Sequence, residues 1–545
     1  MKPKRLPRKA LLIGLLLLLL ISVPAVAYFR AFPETDSDPP EKAVPEISFS
    51  YWDIDQMQNS KKTDGLTRYL ENRFGFRASA RSFNWSNYRQ QYQILTVTDE
   101  LPDVFTTVLL SSSDTQDSAL LRRMIDQDSI QPLPDDLSDY PYLEALIQKF
   151  PELCQADGHY YAIPHPFFDE SILSTSDSAM LVRRDWMDAL GIDDPQTPEE
   201  FLEMTAAFAN KDPDGNGKDD TIGYTVNTLS ALGKWVMLGI APECNAYSWV
   251  KDTDGVYRPS WCTDAFRDVV VFYRKLYESG GLDPKFYAKN SAAVSDDFCS
   301  GRLGAFEYKS SASSIQEIES LWNERNDLPF SECVDVLPIF PAPDGTRHSN
   351  SSSSFWSETY LSSQLTGEEL DIVLDLLNYL LSPEGDTLCS YGLEGVDYEY
   401  DESRFPVSLD PDAGCQKELL MKKYPSWKLW ANIGAPTWSR HDFEDTAESR
   451  FLYGENSVRL AQKALEFCEN DTVPLERPYD FLRLPKEDAS FNSQAFQSFI
   501  ECILGTEDPL KMWDAALNRL YDQGLKNYIM RQNPGGSAYE NGFSS

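Results

Sequence analysis

The chain has 545 residues, of which 42% are hydrophobic and 25% charged, and its formal net charge is −37 at pH 7. This length is enough for at least two packed domains. The negative charge disfavours nucleic acids and anionic lipid headgroups as partners, because both are themselves negatively charged. The same charge favours solubility and the attraction of cations.

The first 27 residues are typical of an export leader. Residues 1–9 (MKPKRLPRK) carry five basic side chains, and residues 10–27 follow without a charge. Ala25-Val26-Ala27 matches a small-x-small cleavage signal of a signal peptide. An uncleaved N-terminal membrane anchor is the alternative, since a membrane-spanning helix needs roughly 17–25 apolar residues. In both cases we expect the body of the protein outside the cytoplasmic membrane, either secreted through the Sec pathway or anchored at the cell surface.

Strands and helices alternate after a linker predicted over residues 28–45. EISFSYW (46–52) alternates apolar and polar residues and predicts a strand, whereas LPDVFTTVLL (101–110) predicts a strand buried on both faces. HYYAIPHPF (159–167) predicts a short strand. This alternation indicates α/β lobes with mainly parallel sheets.

Two capping patterns predict where helices begin. Thr197 is followed by Pro198 and by Glu200, which supplies an N-cap, a proline at the first helical position and a glutamate three residues after the cap. Thr366 with Glu369 predicts a second capping box. Near the end of the chain, residues 512–530 predict one amphipathic helix, and residues 531–545 predict a disordered tail.

The nine cysteines form no CxxC pair, and their odd number leaves at least one thiol unpaired within the chain. Export permits disulfides without requiring them. Cys244 and Cys262 flank the turn at 252–255 and are the first pair to test. The alternative is that all the thiols are buried and reduced.

The sequence gives no positive evidence for catalysis. Its four histidines lie in no metal-ligand spacing, and it lacks the HExxH, GxSxG, Walker A and dinucleotide-binding motifs. A carboxylate pair for glycoside hydrolysis leaves no local signature, so a glycan-active enzyme stays as an alternative. We therefore expect a protein that is not an enzyme.

The stretch NKDPDGNGKDDTIGYT (210–225) places oxygen-bearing side chains at alternating positions of a glycine-rich turn. These side chains belong to Asp212, Asp214, Asn216 and Asp220. Calcium takes six to eight oxygen ligands from carboxylates, amides and carbonyls, so the pattern predicts a structural Ca²⁺ site. The loop is not an EF-hand, because the twelfth position carries Gly223 rather than glutamate. A metal-free Asx turn is the alternative.

Aromatic residues make up 12% of the chain, and several tryptophans lie outside periodic apolar faces. Flat aromatic rings with polar neighbours suit the apolar faces of sugar rings. Trp52 directly follows the first predicted strand. Ligands of α/β sheets lie at the carboxyl ends of strands, which favours Trp52 as a ligand contact.

Residues 181–225 (LVRRDWMDALGIDDPQTPEEFLEMTAAFANKDPDGNGKDDTIGYT) closely resemble the signature of the family 1 extracellular solute-binding proteins of bacterial ABC importers. The group resembled most is that of the LplA-like, carbohydrate-binding lipoproteins. Supporting segments occur along most of the chain: LPDVF (101–105), YYAIP (160–164), FCSGRLGAFEY (298–308) and SPEGDTLCSYGLEGVDYEYD (382–401).

This resemblance implies a two-lobed, periplasmic-binding-protein-like α/β fold with a sugar or oligosaccharide in the cleft between the lobes. It also implies calcium in the DPDGNGKDD loop, with the ligands Asp212, Asp214, Asn216, the carbonyl of Lys218, and Asp220. The chain departs from the family at Thr221, where an acid is usual, and in lacking a lipobox cysteine after the leader.

Three segments are predicted to connect the lobes: 161–166, 304–309 and 340–345. The first lobe is then expected to comprise residues 46–163 and 308–342. The second is expected to comprise 164–307 and 345–530. Side chains at or beside strand ends near these connections are expected to line the cleft: Trp52, Asp53, Trp249, Glu307, Tyr308 and Trp356.

These observations predict the extracellular substrate-binding component of an ABC importer, which closes two lobes about a hinge on a carbohydrate ligand. Its expected partners are the ligand and the membrane permease subunits, and we expect a monomer. A surface polysaccharide-binding or sensory protein with the same fold and no transporter is the second hypothesis.

Overall fold

The computed structural model describes residues 44–85, 87–111, 115–166, 179–226, 233–247, 249–252, 254–349, 355–410, 412, 414–434, 439–474 and 490–533. The predicted leader, residues 28–43 of the predicted linker and residues 534–545 of the predicted tail lie outside these ranges. None of the helices formed by the described residues has both the length and the apolar character needed to cross a membrane.

The strands, in chain order, are β1 (Glu46–Trp52), β2 (Arg77–Phe83), β3 (Val104–Thr107), β4 (Ala162–Pro166), β5 (Ala179–Arg183), β6 (Ile222–Thr225), β7 (Trp249–Lys251), β8 (Tyr257–Pro259), β9 (Leu303–Tyr308), β10 (Val334–Leu337), β11 (His348–Ser349), β12 (Phe355–Leu361), β13 (Tyr398–Tyr400), β14 (Pro406–Ser408) and β15 (Val473–Pro474).

The α-helices span Asp55–Asn59, Gly65–Phe74, Tyr88–Thr98, Thr115–Asp126, Pro141–Gln148, Arg184–Leu190, Pro198–Asn210, Lys234–Ile240, Ala265–Glu278, Ser291–Cys299, Ala312–Arg325, Phe330–Cys333, Glu368–Leu380, Pro383–Tyr391, Gln416–Lys423, Trp427–Trp430, Ala447–Tyr453, Glu455–Asp471, Ser490–Leu504, Pro509–Asp522 and Leu525–Gln532. Short 3₁₀ helices span Pro151–Leu153, Pro242–Tyr247, Ser260–Cys262, Phe286–Ala288 and Arg440–Asp442.

The first lobe is built on a sheet with the strand order β2-β1-β3-β12-β4. β1 pairs in parallel with both β2 and β3, whereas β12 runs antiparallel to β3 and β4. All four residues of β3 are buried, which confirms a strand buried on both faces. The core on this sheet includes helix residues far along the chain, such as Leu377, Leu420 and Trp430.

The second lobe is built on a sheet with the strand order β10-β5-β9-β6. Only β6 and β9 pair in parallel, and β5 runs antiparallel to both β9 and β10. The prediction of mainly parallel sheets is therefore wrong. Two apolar clusters cover this sheet, one of which includes Phe499 and Trp513 near the end of the chain.

The predicted lobe boundaries need correction. Residues 308–342 were expected in the first lobe, but β10 pairs with β5 in the second sheet. Residues 345–530 were expected in the second lobe, but β12 is an inner strand of the first sheet. Strand periodicity indicates how a strand is buried but does not identify its partner strands, which explains both errors.

The chain passes between the two sheets at one of the predicted places, since 340–345 lies between β10 and β12. It leaves the first sheet at β4 and enters the second sheet at β5. It returns to the first sheet between β10 and β12. After the first-lobe residue Ile433 it passes again to the second lobe. The predicted connection at 304–309 is wrong, because β9 lies inside the second sheet between β5 and β6. The last connection was not predicted.

One of the two predicted capping patterns is present at the start of its helix. Thr197 is the N-cap of the helix Pro198–Asn210, and its hydroxyl accepts a hydrogen bond from the Glu200 amide at 3.1 Å. At the second predicted box the N-cap is Gly367, with φ 53° and no side-chain cap, so the Thr366 box is wrong. The predicted C-terminal helix is present but breaks at Gly524, whose φ is 104°.

Candidate functional site

Four aromatic side chains of the first lobe form one cluster at the end of β1. This tryptophan cluster comprises Trp52, Trp85, Tyr88 and Trp356. The Trp52 ring centroid lies 5.3 Å from that of Trp85 and 5.1 Å from that of Trp356. Trp85 and Trp356 stack at 5.7 Å with their planes 19° apart. Trp52 is only 3% exposed, but Trp85 is 40% exposed, so the outer ring of the cluster faces solvent.

Strand register explains why these rings meet. β1 and β2 are parallel and end together, with Trp52 opposite Phe83. Trp85 follows Phe83 by two residues and therefore reaches the same edge of the sheet. Trp356 lies at a bulge where the pairing of β12 with β4 shifts between Phe355 and Ser357. A bulge turns a side chain out of the regular alternation, which directs Trp356 to the cluster.

A buried carboxylate holds the backbone behind this cluster. Glu358, on β12, is fully buried and accepts hydrogen bonds from the amides of Leu109 at 2.9 Å and Ser111 at 2.7 Å. Ser111 in turn donates through its hydroxyl to the carbonyl of Trp356. Burial raises the pKa of Glu358 to about 7, and the hydrogen bonds from the amides oppose that rise. The segment after β3 is thus tied to the strand that carries Trp356.

The second lobe contributes charged and phenolic groups opposite the tryptophan cluster. Lys309 directly follows β9, and its ammonium lies 5.9 Å from the centroid of the Trp356 ring. This cation–π geometry joins the two lobes. Tyr308 precedes Lys309, and burial raises its pKa, with the charge of Glu317 adding to the effect. Trp356 therefore lies where the two lobes meet, with Trp52 beside it. Tyr308 stands next to Lys309 in the chain, and its ring packs 5.6 Å from that of Phe306 in the second lobe.

A second contact between the lobes is an ion pair. Lys417 lies on the helix Gln416–Lys423, whose Leu420 is in the core of the first lobe. Its ammonium donates to the carbonyl of Ser313 and, at 2.9 Å, to the carboxylate of Glu317, both on the second-lobe helix Ala312–Arg325. Lys417 is 5% exposed and Glu317 is 45% exposed.

Asp53, a predicted ligand contact, is exposed at the end of β1 with φ 55°. Its carboxylate lies 3.7 Å from the ammonium of Lys428, which is on the helix Trp427–Trp430. The charge of Lys428 also contributes to lowering the pKa of Glu317. Asp53 thus belongs to the same region as the tryptophan cluster.

Two other predicted ligand contacts have different surroundings. Glu307 is buried inside the second lobe, where its carboxylate accepts hydrogen bonds from the amides of Trp235 at 2.7 Å and Val236 at 3.2 Å. The carboxylate thereby supplies acceptors for backbone N–H groups at the start of the helix Lys234–Ile240, a position where acidic side chains are common. Trp249 lies on the β7–β8 hairpin of the second lobe, and its ring packs 5.7 Å from that of Tyr528.

The sequence reasoning missed Trp85, Lys309, Glu317, Lys417 and Lys428. Trp85 carried a usable signal, because a tryptophan within the polar run Asn84-Trp85-Ser86-Asn87 follows a strand that ends beside β1. The four charged residues carried none, since their meeting depends on how the helices Ala312–Arg325 and Gln416–Lys423 pack across the two lobes.

The predicted calcium loop brings its oxygen-bearing side chains together. The amide nitrogen of Asn216 lies 2.7 Å from a carboxylate oxygen of Asp214 and 3.1 Å from one of Asp220. The Asp212 carboxylate accepts from the Gly217 amide at 3.0 Å, and the carbonyl oxygen of the Asn216 side chain accepts from the Lys218 amide at 2.7 Å. Asp212 (φ 48°), Gly215 (φ 66°) and Gly217 (φ 75°) all have positive φ, which wraps the loop tightly.

This donor set fits a hard cation such as Ca²⁺, because it consists of carboxylate, amide and carbonyl oxygens. Among the described residues, no three His, Cys, Asp or Glu side chains form a group that could hold a metal. In this loop the carboxylates of Asp214 and Asp220 both accept hydrogen bonds from the side-chain amide nitrogen of Asn216. The oxygen of the same amide accepts from the Lys218 amide, so exchanging O and N would break that hydrogen bond and turn the oxygen toward the two carboxylates.

Gly223 explains why the loop lacks the final glutamate of an EF-hand. A Cβ atom at this position would lie 2.0 Å from the carbonyl oxygen of Thr205 and 2.6 Å from that of Gly281. No side chain fits there, so the twelfth position is closed to any ligand other than backbone. Thr221, where the family usually has an acid, instead donates its hydroxyl to the Phe208 carbonyl at 2.8 Å.

All nine cysteines lie in the described residues, and none forms a disulfide. The Cys244 thiol contacts the Ser260 carbonyl at 3.7 Å rather than Cys262. Burial raises the pKa of both Cys244 and Cys262 to about 12, which keeps them as thiols. The thiols are therefore reduced, but they are not all buried as the alternative required, because Cys154 is exposed.

Comparison with known proteins decides the family. The model of a family described as bacterial extracellular solute-binding protein matches residues 68–390, which is more than half of the chain. The chain belongs to this family. The family consists of binding proteins rather than enzymes, and its extracellular location agrees with the expected one.

The relatives of this solute-binding protein include two proteins of Bacillus subtilis (strain 168). It is 28% identical to Lipoprotein LipO over 390 residues, which cover 70% of this chain and 72% of LipO. It is 24% identical to the polygalacturonan/rhamnogalacturonan-binding protein YtcQ over 272 residues, and this match spans 50% of the chain and only 52% of YtcQ.

A solved structure of the Streptococcus pneumoniae ABC-transporter substrate binding protein FusA, an EF-hand mutant in complex with fructo-nystose, has the same fold. The TM-score is 0.67 at 18% identity, and the match covers 91% of this chain and 99% of that one. The expected two-lobed α/β fold is therefore confirmed.

Proposed function

We propose that this solute-binding protein binds a sugar or oligosaccharide between its two lobes and delivers it to the permease subunits of an ABC importer. The tryptophan cluster carries the proposal, because it offers flat aromatic rings at the end of β1, directly opposite groups of the second lobe. A sugar ring can stack its C–H face on such rings while its hydroxyls meet the flanking charged groups. The relatives YtcQ and FusA, named for binding saccharides, support the same class of ligand.

The proposed ligand contacts are a revised form of the predicted set. Trp356, Asp53 and Tyr308 are kept, and Trp85 is added as the exposed ring of the cluster. Trp52 supports the cluster from beneath, since it is almost completely buried against the other rings. Glu307 and Trp249 are not part of the proposed site.

The proposal also includes Ca²⁺ in the loop after the helix Pro198–Asn210. Asp212, Asp214, Asn216 and Asp220 would hold the ion through side chains and Lys218 through its carbonyl. The ion would offset the repulsion between the carboxylates of the loop, in a chain that already carries a charge of −37. Its role would be structural, because β6 follows the loop and pairs with the inner strand β9. The leader is proposed to direct export.

Binding is tested by calorimetry on purified protein against a panel of neutral and acidic oligosaccharides. We expect at least one member to bind, and Trp85→Ala to weaken that binding by about tenfold or more, as buried tryptophan contacts commonly do. Trp249→Ala is the matched control and should leave the affinity unchanged. Failure of every saccharide to bind, or equal losses in the two variants, would contradict the proposed site.

A further inference from the structure

The helix Ala312–Arg325 presents one carboxylate to the space between the lobes. Its apolar face packs into the second lobe through Ile315 and Ile318, which are buried. Ser311 fixes the start of the helix by accepting a hydrogen bond from the Ser314 amide. Glu317 lies on the opposite side and is 45% exposed. A rigid helix therefore holds this carboxylate in a solvent-accessible position.

Glu317 is ionised and has one uncommitted oxygen. Its Oε1 atom accepts from the ammonium of Lys417 at 2.9 Å, and no described group donates to its Oε2 atom. Burial raises the pKa of Glu317, but the charges of Lys417, Lys428 and Lys309 outweigh burial and lower the pKa overall. The carboxylate is thus a fixed negative charge that can still accept a hydrogen bond.

Two of the three ammonium groups around Glu317 pair with carboxylates. Lys417 bonds to Glu317 itself, and Lys428 lies 3.7 Å from Asp53. Lys309 lies over the Trp356 ring. The group therefore offers carboxylate acceptors and ammonium donors side by side, with an aromatic surface opposite. A neutral sugar has the complementary pattern, since each hydroxyl both donates and accepts and the ring has an apolar face.

We infer that Oε2 of Glu317 binds a hydroxyl group of the ligand and selects an uncharged sugar unit over a uronic acid at this position. A hydroxyl donates to the free oxygen, whereas a ligand carboxylate would meet a like charge and leave Glu317 without a donor. The chain's net charge of −37 also repels an anionic ligand at longer range, which favours an uncharged sugar as well. This inference rests on the proposed function and adds the chemistry of the sugar unit bound at Glu317.

The test compares three variants by calorimetry with kestose, maltotriose and trigalacturonate as ligands. Glu317→Gln keeps the shape and removes the charge, so we expect about tenfold weaker binding of the neutral sugar and stronger binding of trigalacturonate. Glu317→Asp keeps the charge but draws the oxygen back, so it should lose neutral-sugar affinity without gaining affinity for trigalacturonate. Glu324→Gln, an exposed position on the same helix, is the control and should change neither affinity.

Two results would overturn the inference while leaving the proposed function intact. One is unchanged binding of the neutral sugar in Glu317→Gln. The other is a wild-type preference for trigalacturonate. If the wild type binds saccharides of neither kind, the proposed function itself fails, and the inference fails with it. Melting temperatures of all three variants show whether each is folded, and Glu317→Asp, which retains an acceptor for Lys417, carries the test if Glu317→Gln unfolds.

Discussion

Replacing Glu358 with glutamine should make the stability of the protein less sensitive to a rise in pH from 4.5 to about 7. The wild-type carboxyl is fully buried between β12 and the segment after β3, and burial raises its pKa from 4.5 to about 7. Because the pKa is higher in the folded state, the folded protein holds this proton more tightly than the unfolded chain does. The resulting stabilisation is complete below pH 4.5 and is lost as the pH rises through about 7.

The magnitude follows from the two pKa values. Their separation corresponds to about 3 kcal/mol, at about 1.4 kcal/mol for each pH unit. Glutamine does not ionise, so its contribution to the unfolding free energy does not depend on pH. Between pH 5 and pH 9 the unfolding free energy of the wild type should therefore fall by about this amount relative to that of Glu358→Gln. Urea unfolding at pH 5, 7 and 9 measures this difference.

Glu324→Gln, at an exposed position, should show a difference from wild type that does not change with pH. A constant difference for Glu358→Gln over the same range would refute the assigned pKa. A carboxyl NMR signal of Glu358 that titrates near its ordinary value of 4.5 would refute it independently.

Three further predictions concern the tryptophan cluster and the calcium loop. Trp52→Ala should destabilise the protein by roughly 3–5 kcal/mol, because the Trp52 ring is 3% exposed. Trp85→Ala should destabilise it much less, because Trp85 is 40% exposed. Thermal melting of the two variants measures the difference. Gly223→Ala should lower the melting temperature by several degrees with or without calcium, because its Cβ would lie 2.0 Å from a backbone oxygen; an unchanged melting temperature would show that the strand can shift. Millimolar Ca²⁺ should stabilise the wild type by about 1 kcal/mol, as expected when an ion with a weak Kd binds only the folded state, and Asp214→Ala should abolish the response. A wild-type melting curve that ignores both Ca²⁺ and EDTA would favour the metal-free Asx turn.

Local features of the fold were predictable from the sequence where the cause is itself local. β1 was predicted with its exact bounds, and Thr197 caps its helix as expected. The second capping box failed because Gly367, one residue later, adopts a positive φ and becomes the cap itself. A capping pattern therefore predicts a helix start only if the intervening backbone allows it.

Features that depend on distant pairing were not predictable. β10 was placed in the wrong lobe, since a four-residue strand with three apolar residues is compatible with either sheet. Glu307 was expected in the cleft as an acid near the end of a strand, but the start of a helix takes its carboxylate. Trp52 was expected to line the cleft; its ring lies beside that of Trp356, but its burial against Trp85 makes it a support for the proposed site rather than an exposed surface.

The position of β12 in the first sheet has a consequence for how the chain folds. β12 lies between β3 and β4, two strands that do not pair with each other, and it follows β4 only after the whole second sheet. Until residues 355–361 arrive, β3 and β4 have unpaired edges, and the loop that must close is long. Closing such a loop slows folding, because its entropy is lost before the long-range contacts form. Completion of the first sheet therefore requires the chain of the second sheet, from β5 to β10, to have been made.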